Sequence, residues 1–303
     1  MHFWITTRYP WHHLDPYPLF PTTSTLPNYR GKGYASLILK SIISHLCASK
    51  VSLLLVSGTR SLYTRAGCIR TGLEYHYNIR REGITSQGPS QLYSVNKVLN
   101  RARSAAWMLD LYSREAYRFE RNLSEMTTLL DAIWFKRENW PMKLYQIADK
   151  EKRIAYLIVF KRGNDNRTLT LMEMAGSKSA IVDLLPFVMN EMDADDINLR
   201  VHPADTDMVQ ILDSMGYNHT IGPVQGTVRI IDPSNLIKEL VEMITERGWN
   251  CSAQSCEDMK LLCRSSLQSI GANTPAEITN AFFGICEDCS SIPLMFTDDL
   301  NFI

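Results

Sequence analysis

The stretch Tyr29-Arg30-Gly31-Lys32-Gly33-Tyr34-Ala35-Ser36, running directly into Leu37-Ile38-Leu39, constrains this chain more than any other. Two glycines beside two cations let a backbone approach an anion closely. A helix starting at once behind them points its first N–H groups, and the positive end of its dipole, at the same spot. The segment therefore reads as a pyrophosphate cradle. It is not a dinucleotide fingerprint, because Gly31-Lys32-Gly33 lacks the third glycine and no Val/Ile-rich strand leads straight into it. Nor is it a Walker loop, since no Gly-Lys-Ser/Thr follows a four-residue spacer. Behind it a helix is expected from Tyr34 to about Leu46. The continuous apolar run Val51–Val56 reads as a buried strand, and a helix carrying Tyr63 should end at Gly67, where a left-handed cap suits glycine.

Arg30, Gly33 and Ala35 match the Arg-x-x-Gly-x-Ala signature of the GNAT acetyltransferase superfamily, strengthened by the preceding Thr25-Leu26-Pro27. Tyr63-Thr64-Arg65-Ala66-Gly67-Cys68 resembles that superfamily's second motif, with Cys68 where an aromatic is usual. The resemblance is specific over residues 25–72 and architectural elsewhere. It implies an α+β fold of mixed, mostly antiparallel sheets flanked by helices, with acetyl-CoA as co-substrate. The pyrophosphate would be held by Leu26, Arg30, Gly31, Lys32, Gly33, Tyr34, Ala35 and Ser36. By the same resemblance Tyr63 is the general acid that protonates the leaving thiolate. Read from its own context, the Tyr63 ring could equally pack against the sheet, and both readings stand at this point.

The 303 residues, 45% hydrophobic and with no net charge, suffice for about two or three cores and give no electrostatic reason to seek nucleic acid. No apolar run approaches the roughly 18–20 residues of a membrane span, and Pro and His interrupt the aromatic N-terminus, so a cytoplasmic protein is expected. Seven cysteines without framework spacing fit reduced thiols. Cys286-Glu287-Asp288-Cys289 is the sole Cys-x-x-Cys, and the intervals among Cys251, Cys256 and Cys263 match no common zinc pattern, so no metal is expected. The acidic residues Asp193, Asp195, Asp196, Asp205 and Asp207 read as solvated loop and cap positions.

Leu73–Ile79 and Leu92–Val95 read as antiparallel strands closing the first unit, and Asn100–Phe135 as helical, with Asn122 or Ser124 as a cap. The order then repeats: a hairpin about Asp149–Lys152, a strand Leu169–Met174, a helix Lys178–Met192, a strand Ile197–Val201, a helix Asp207–Met215 and strands beyond Gly216-Tyr217. This resembles a second, degenerate GNAT unit. Its cradle position, Ala175-Gly176-Ser177-Lys178-Ser179, has one glycine, and Leu212 stands opposite Tyr63. The last segment enters through Gly226–Ile231, then a helix Leu236–Glu246, mixed helix to Ser269 and a helix Thr274–Phe283.

The expected domains are thus 1–99, a partial GNAT unit with the acetyl-CoA loop; 100–225, a degenerate second unit; and 226–303, a small C-terminal α/β domain. Tandem units followed by a small domain resemble the enhanced intracellular survival-type acetyltransferases, whose third domain is sterol-carrier-like. That resemblance implies that the Ile303 carboxylate helps deprotonate an amine. Only 29 residues precede Arg30, so the first unit reads as N-terminally truncated, and this form as a weak or inactive catalyst. Two functions are carried forward. One is an acetyl-CoA-dependent N-acetyltransferase acting on a primary amine by direct attack; the other is a non-catalytic acyl-CoA-binding or interaction protein. The partners expected are CoA and a small-molecule or peptide amine, with no nucleic acid and no membrane; a homo-oligomer is compatible with both.

Overall fold

The computed structural model describes residues 26–56, 58–81, 94–97, 101–136, 142–161, 167–254, 260–265, 269–284, 292 and 294. The readings at the aromatic N-terminus, Thr25, Leu92, Cys256, Cys286, Cys289 and Ile303 lie outside them. In chain order the elements are α1 (Tyr34–Ala48), β1 (Leu53–Val56), α2 (Ser61–Arg65), β2 (Glu74–Arg80), β3 (Ser94–Lys97), α3 (Arg101–Tyr112) and α4 (Leu123–Lys136). Then come β4 (Met142–Asp149), β5 (Lys152–Lys161), β6 (Thr168–Gly176), α5 (Lys178–Glu191), β7 (Asp196–Val201), α6 (Thr206–Ser214) and β8 (His219–Gly222). The chain continues with β9 (Thr227–Ile230), α7 (Pro233–Glu239), α8 (Val241–Glu246), β10 (Asn250–Ala253), β11 (Leu261–Arg264), β12 (Ser269–Ala272) and α9 (Pro275–Phe283). The fold is α+β, with a mixed, mostly antiparallel sheet flanked by helices. No helix among the described residues is long and apolar enough to cross a membrane.

Two compact units interleave along the sequence: the described residues of Glu74–Gly222 form one, while residues 26–73 and those described from 223 to 294 form the other. The central unit is a seven-stranded sheet of order β3-β4-β5-β6-β7-β2-β8. All its pairs are antiparallel except β6 with β7, which pair in parallel over only Thr168–Thr170 and Asp196–Asn198. The apolar run of β5 is explained by burial on both faces. Ala155, Leu157 and Val159 join the core beneath α5 and α6, whereas Tyr156, Ile158 and Phe160 join the core beneath α3 and α4. Asn122 starts α4 through a reciprocal cap, accepting from the Glu125 N–H at 2.9 Å while its own N–H donates to Glu125 Oε2 at 2.7 Å. The sequence suggested one helical stretch here; residues 113–122 break it in two.

In the other unit β1 pairs antiparallel with β9, from Leu53↔Ile230 to Val56↔Thr227. Leu39 and Leu46 of α1 join Val51, Leu54, Cys68 and Ile231 in one core, with Leu62 and Tyr63 of α2 partly buried against it. Helix α9, started by a Thr274/Glu277 capping box, tethers β9: the Ile230 N–H donates to Thr279 Oγ1 at 2.9 Å. Three features depart from the sequence reading. Strand β2, expected to close the first unit, is hydrogen-bonded between β7 and β8. Strand β9, expected to open a separate small domain, shares its sheet with β1. The stretch read as mixed helix to Ser269 carries the antiparallel meander β10-β11-β12. Each local reading concerned residue type, whereas strand partners and registers are set by distant sequence.

Cys251 and Cys263 face each other across β10 and β11 and form a disulfide, and Cys47 is also disulfide-bonded. The expectation of reduced thiols is corrected at these three positions. A cross-strand pair is recognisable only once the register is known.

Candidate functional site

The loop ahead of α1 is built by backbone conformation. A single 3-10 turn over Pro27–Tyr29 ends in extended Arg30, and Gly31 and Gly33 then both take φ +77°. Nothing lies within 4 Å of where a β-carbon would sit on either glycine, so glycine is required here by the left-handed φ and not by crowding. Gly33 is the N-cap of α1 and its carbonyl accepts the first helical hydrogen bond, from the Leu37 N–H at 3.1 Å. Among the described residues no side chain caps this helix and no acidic residue stands in its first turn. The positive helix end is thereby left facing outward. Lys32 Nζ lies 5.2 Å from the Tyr29 ring centroid, and Tyr29 and Tyr34 stand 6.4 Å apart on either side of the glycines. Leu26, Tyr29, Tyr34, Leu37 and Ile38 are all exposed, Leu37 at 62%. The residues anticipated from sequence, Leu26 and Arg30 to Ser36, thus lie on one loop and helix start, exposed except for half-buried Ala35.

Tyr63 sits on α2, four residues before the left-handed Gly67. Its ring is half-buried, packs on the α1/β1 core and lies against the backbone of Gly58. Its carbonyl accepts from the N–H groups of Ala66 and Cys68, which closes the helix. Cys68, in the place of the usual aromatic, is fully buried. Burial pushes its thiol up to about 11, against a smaller lowering by Arg229. Ile303 lies outside the described residues.

The central unit has polar groups that sequence reading did not single out. Arg121 and Glu173 form a buried two-pronged ion pair at 3.1 and 2.7 Å, the Tyr156 hydroxyl donates to Glu173 Oε1 at 2.7 Å, and the Arg121 guanidinium stacks 3.9 Å from the Tyr112 ring centroid. Glu115 reaches the start of α5, where it accepts from the Gly176 N–H and from Lys178 Nζ. Leu212, opposite Tyr63 in the repeat, is wholly buried and offers no proton. Near the α6–β8 turn a surface hollow of about 280 Å³ is lined by Asp213, Gly216, Tyr217, Asn218 and His219. Among the described residues no three His, Cys, Asp or Glu side chains are placed to hold a metal ion.

This order of strands and helices is similar to that of solved structures. The chain is similar to a GCN5-related N-acetyltransferase from Anabaena variabilis, at TM-score 0.52 and 17% identity, covering 82% of this chain and 65% of that one. It is similar to a conserved protein of Enterococcus faecalis described as a probable N-acyltransferase, at TM-score 0.54 and 16% identity, covering 82% and 65%. Eis1 from Mycobacterium abscessus matches at TM-score 0.50 and 14% identity, covering 82% and 66%. The fold is that of the GNAT acyltransferases. The chain spans just under two-thirds of the length of each of these three structures. No protein-family profile and no curated protein matches it.

Proposed function

We propose that the chain is an acetyl-CoA-dependent N-acetyltransferase that passes an acetyl group to a primary amine by direct attack. The observation that carries this reading is the uncapped, exposed N-terminus of α1 behind two left-handed glycines, on a GNAT fold. Its residues fit the proposed co-substrate: backbone N–H groups from Gly31 to Ser36 would hold the pyrophosphate, with Arg30 and Lys32 adding positive charge. Acetyl-CoA supplies a thioester-activated acetyl group. Tyr63 is assigned the proton given to the departing thiolate, and the Ile303 carboxylate the proton taken from the amine. Holding the amine against the thioester carbon is the entropic part of the catalysis.

Calorimetry with CoA tests the cradle. Gly33→Glu places a carboxylate where the pyrophosphate would lie, and the expected loss is at least about tenfold in affinity, or about 1.4 kcal/mol. Unchanged affinity in a variant whose circular dichroism shows it folded would refute the site.

The second reading, a non-catalytic acyl-CoA-binding protein, is favoured by the seating of the Tyr63 ring in the core against Gly58. An acetyl-CoA turnover assay over small amines, aminoglycosides and lysine peptides separates the two. Thiol release near 1 per second lies in the usual enzyme range and supports the transferase. CoA binding without thiol release supports the second reading.

A further inference from the structure

Helix α6 ends with the wrong charge for its dipole. Its last turn holds no basic residue, and Asp213 stands one position before its end. That negative helix end is where a cation is favoured and a carboxylate is not. The carbonyls there are already used: the Gly216 N–H donates to the Asp213 carbonyl at 2.9 Å, and the Tyr217 N–H to the Leu212 carbonyl at 3.1 Å. What the helix end offers outward is therefore the Asp213 carboxylate, whose side chain is half exposed.

That carboxylate is held from within the sheet. The hydroxyl of Tyr77, a residue only 1% exposed, donates to Asp213 Oδ1 at 3.1 Å. His219 Nδ1 stands 3.9 Å from the same oxygen, beyond hydrogen-bond reach, while its ring stacks on Tyr75 at 4.0 Å and leans on Tyr77 at 5.1 Å. Among the described residues no other donor reaches the Asp213 side chain. Asp213, Gly216, Tyr217, Asn218 and His219 together line the hollow of about 280 Å³. Gly216, at φ +80°, leaves it open, because nothing lies within 4 Å of where its β-carbon would sit.

We propose that this hollow binds a small primary ammonium group, with the Asp213 carboxylate as its counter-ion. An ammonium brings three donors, and the carboxylate, the Asn218 amide oxygen and the Tyr217 hydroxyl are acceptors among the lining residues. The Tyr217 and His219 rings give the carbon stem an apolar wall, and a tyrosine face also attracts a cation. One carboxylate and one imidazole are too few for a divalent metal ion, which takes four to eight ligands. The volume lies at the low end for small-molecule pockets, which start at about 300 Å³, so the occupant is a short amine or a single lysine side chain. The site is read from the central unit alone and stands apart from the acetyl-CoA reading.

The test is an NMR titration of the full chain, without CoA, with n-butylammonium chloride, and with 1-butanol at matched ionic strength as the uncharged control. Butylammonium is expected to shift the Asn218 side-chain amide saturably, with a Kd on the order of 1 mM, and 1-butanol is not. Asp213→Asn keeps the size and an oxygen for Tyr77, so it should melt no lower than the unmodified chain while binding butylammonium about three- to tenfold more weakly. Gly216→Asn, a residue that tolerates a left-handed φ, puts a side chain into the hollow and should abolish binding; it decides the matter if Asp213→Asn does not fold. Binding of an acetyl-Gly-Lys-Gly-amide peptide as well would support the site with lysine side chains as occupants, and binding of butylammonium alone would support it with a free amine. Shifts that do not saturate, equal binding of 1-butanol, or unchanged affinity in the folded variants would overturn it.

Discussion

The ring of Tyr63 lies so close over Gly58 that a β-carbon at residue 58 would stand 2.7 Å from its Cε2 and 3.4 Å from its Cδ2. Ring and hydroxyl can therefore be separated by mutation. Tyr63→Phe keeps the packed ring and should leave both CoA affinity and thermal stability nearly unchanged. If Tyr63 is the proton donor, turnover falls by about 10²- to 10⁴-fold. Gly58→Ala must displace the ring, so turnover and melting temperature should drop together, with a stability cost of about 1–3 kcal/mol. Thiol-release kinetics and a thermal melt on the two variants check this. Full turnover in Tyr63→Phe would leave the ring as a packing residue.

The buried Arg121–Glu173 pair offers a stability test independent of function. Both charges are removed from water and joined by two hydrogen bonds, and Tyr156 and the Tyr112 ring also contact the pair. Burial, followed by Glu173, holds the Tyr156 hydroxyl well above its ordinary range. Arg121→Met or Glu173→Met alone strands one buried charge and should cost about 3–5 kcal/mol in urea unfolding. The double variant should cost clearly less than the sum. Strictly additive losses would mean that the pair is not coupled as its geometry requires.

What was legible in the sequence follows from what is local. The Gly31/Gly33 loop, the Ile154–Phe160 run, the Asn122 cap and the helix Lys178–Glu191 are set by neighbours within one or two turns, and residue type revealed them. The partners of β2 and β9 were hidden because alternating or apolar strands state their faces and not their neighbours. Glu115 was hidden for the same reason: Gly176 is 61 positions away, and nothing near Glu115 separates it from a solvated acid. At the proposed site, the turn through Gly31 and Gly33 needed only residue type to be read. The placing of the Tyr63 ring needed Gly58, whose role is apparent only as a close approach in three dimensions.

The disulfide joining Cys251 and Cys263 closes a segment of sequence separation 12 across the β10–β11 pair. By the loop-closure account, its removal should cost about 2–4 kcal/mol. Alkylation mass spectrometry without reductant should leave Cys251 and Cys263 unmodified. Reductant should lower the melting temperature and speed hydrogen exchange in β10 and β11. Complete alkylation of both residues in the native, oxidised protein would contradict the pairing.

Cys68 supplies the pH dependence. Its thiol is wholly buried and titrates at about 11 in the folded chain because burial outweighs the pull of Arg229. In the unfolded chain a thiol titrates near about 8.5. The folded state therefore binds the proton more tightly, so this contribution to stability is fully present below about pH 8.5 and is lost as the pH rises through about 11. The melting temperature should accordingly fall between pH 9 and 11, and more steeply than in Cys68→Ala, which pays a cavity cost at neutral pH but has no thiol to ionise. The same burial should make Cys68 react with a maleimide only as fast as the surrounding core opens. Parallel melting curves for the two proteins across that pH range, or fast labelling of Cys68 in the native state, would show that the thiol is reached by water, contrary to its position beneath α1 and α2.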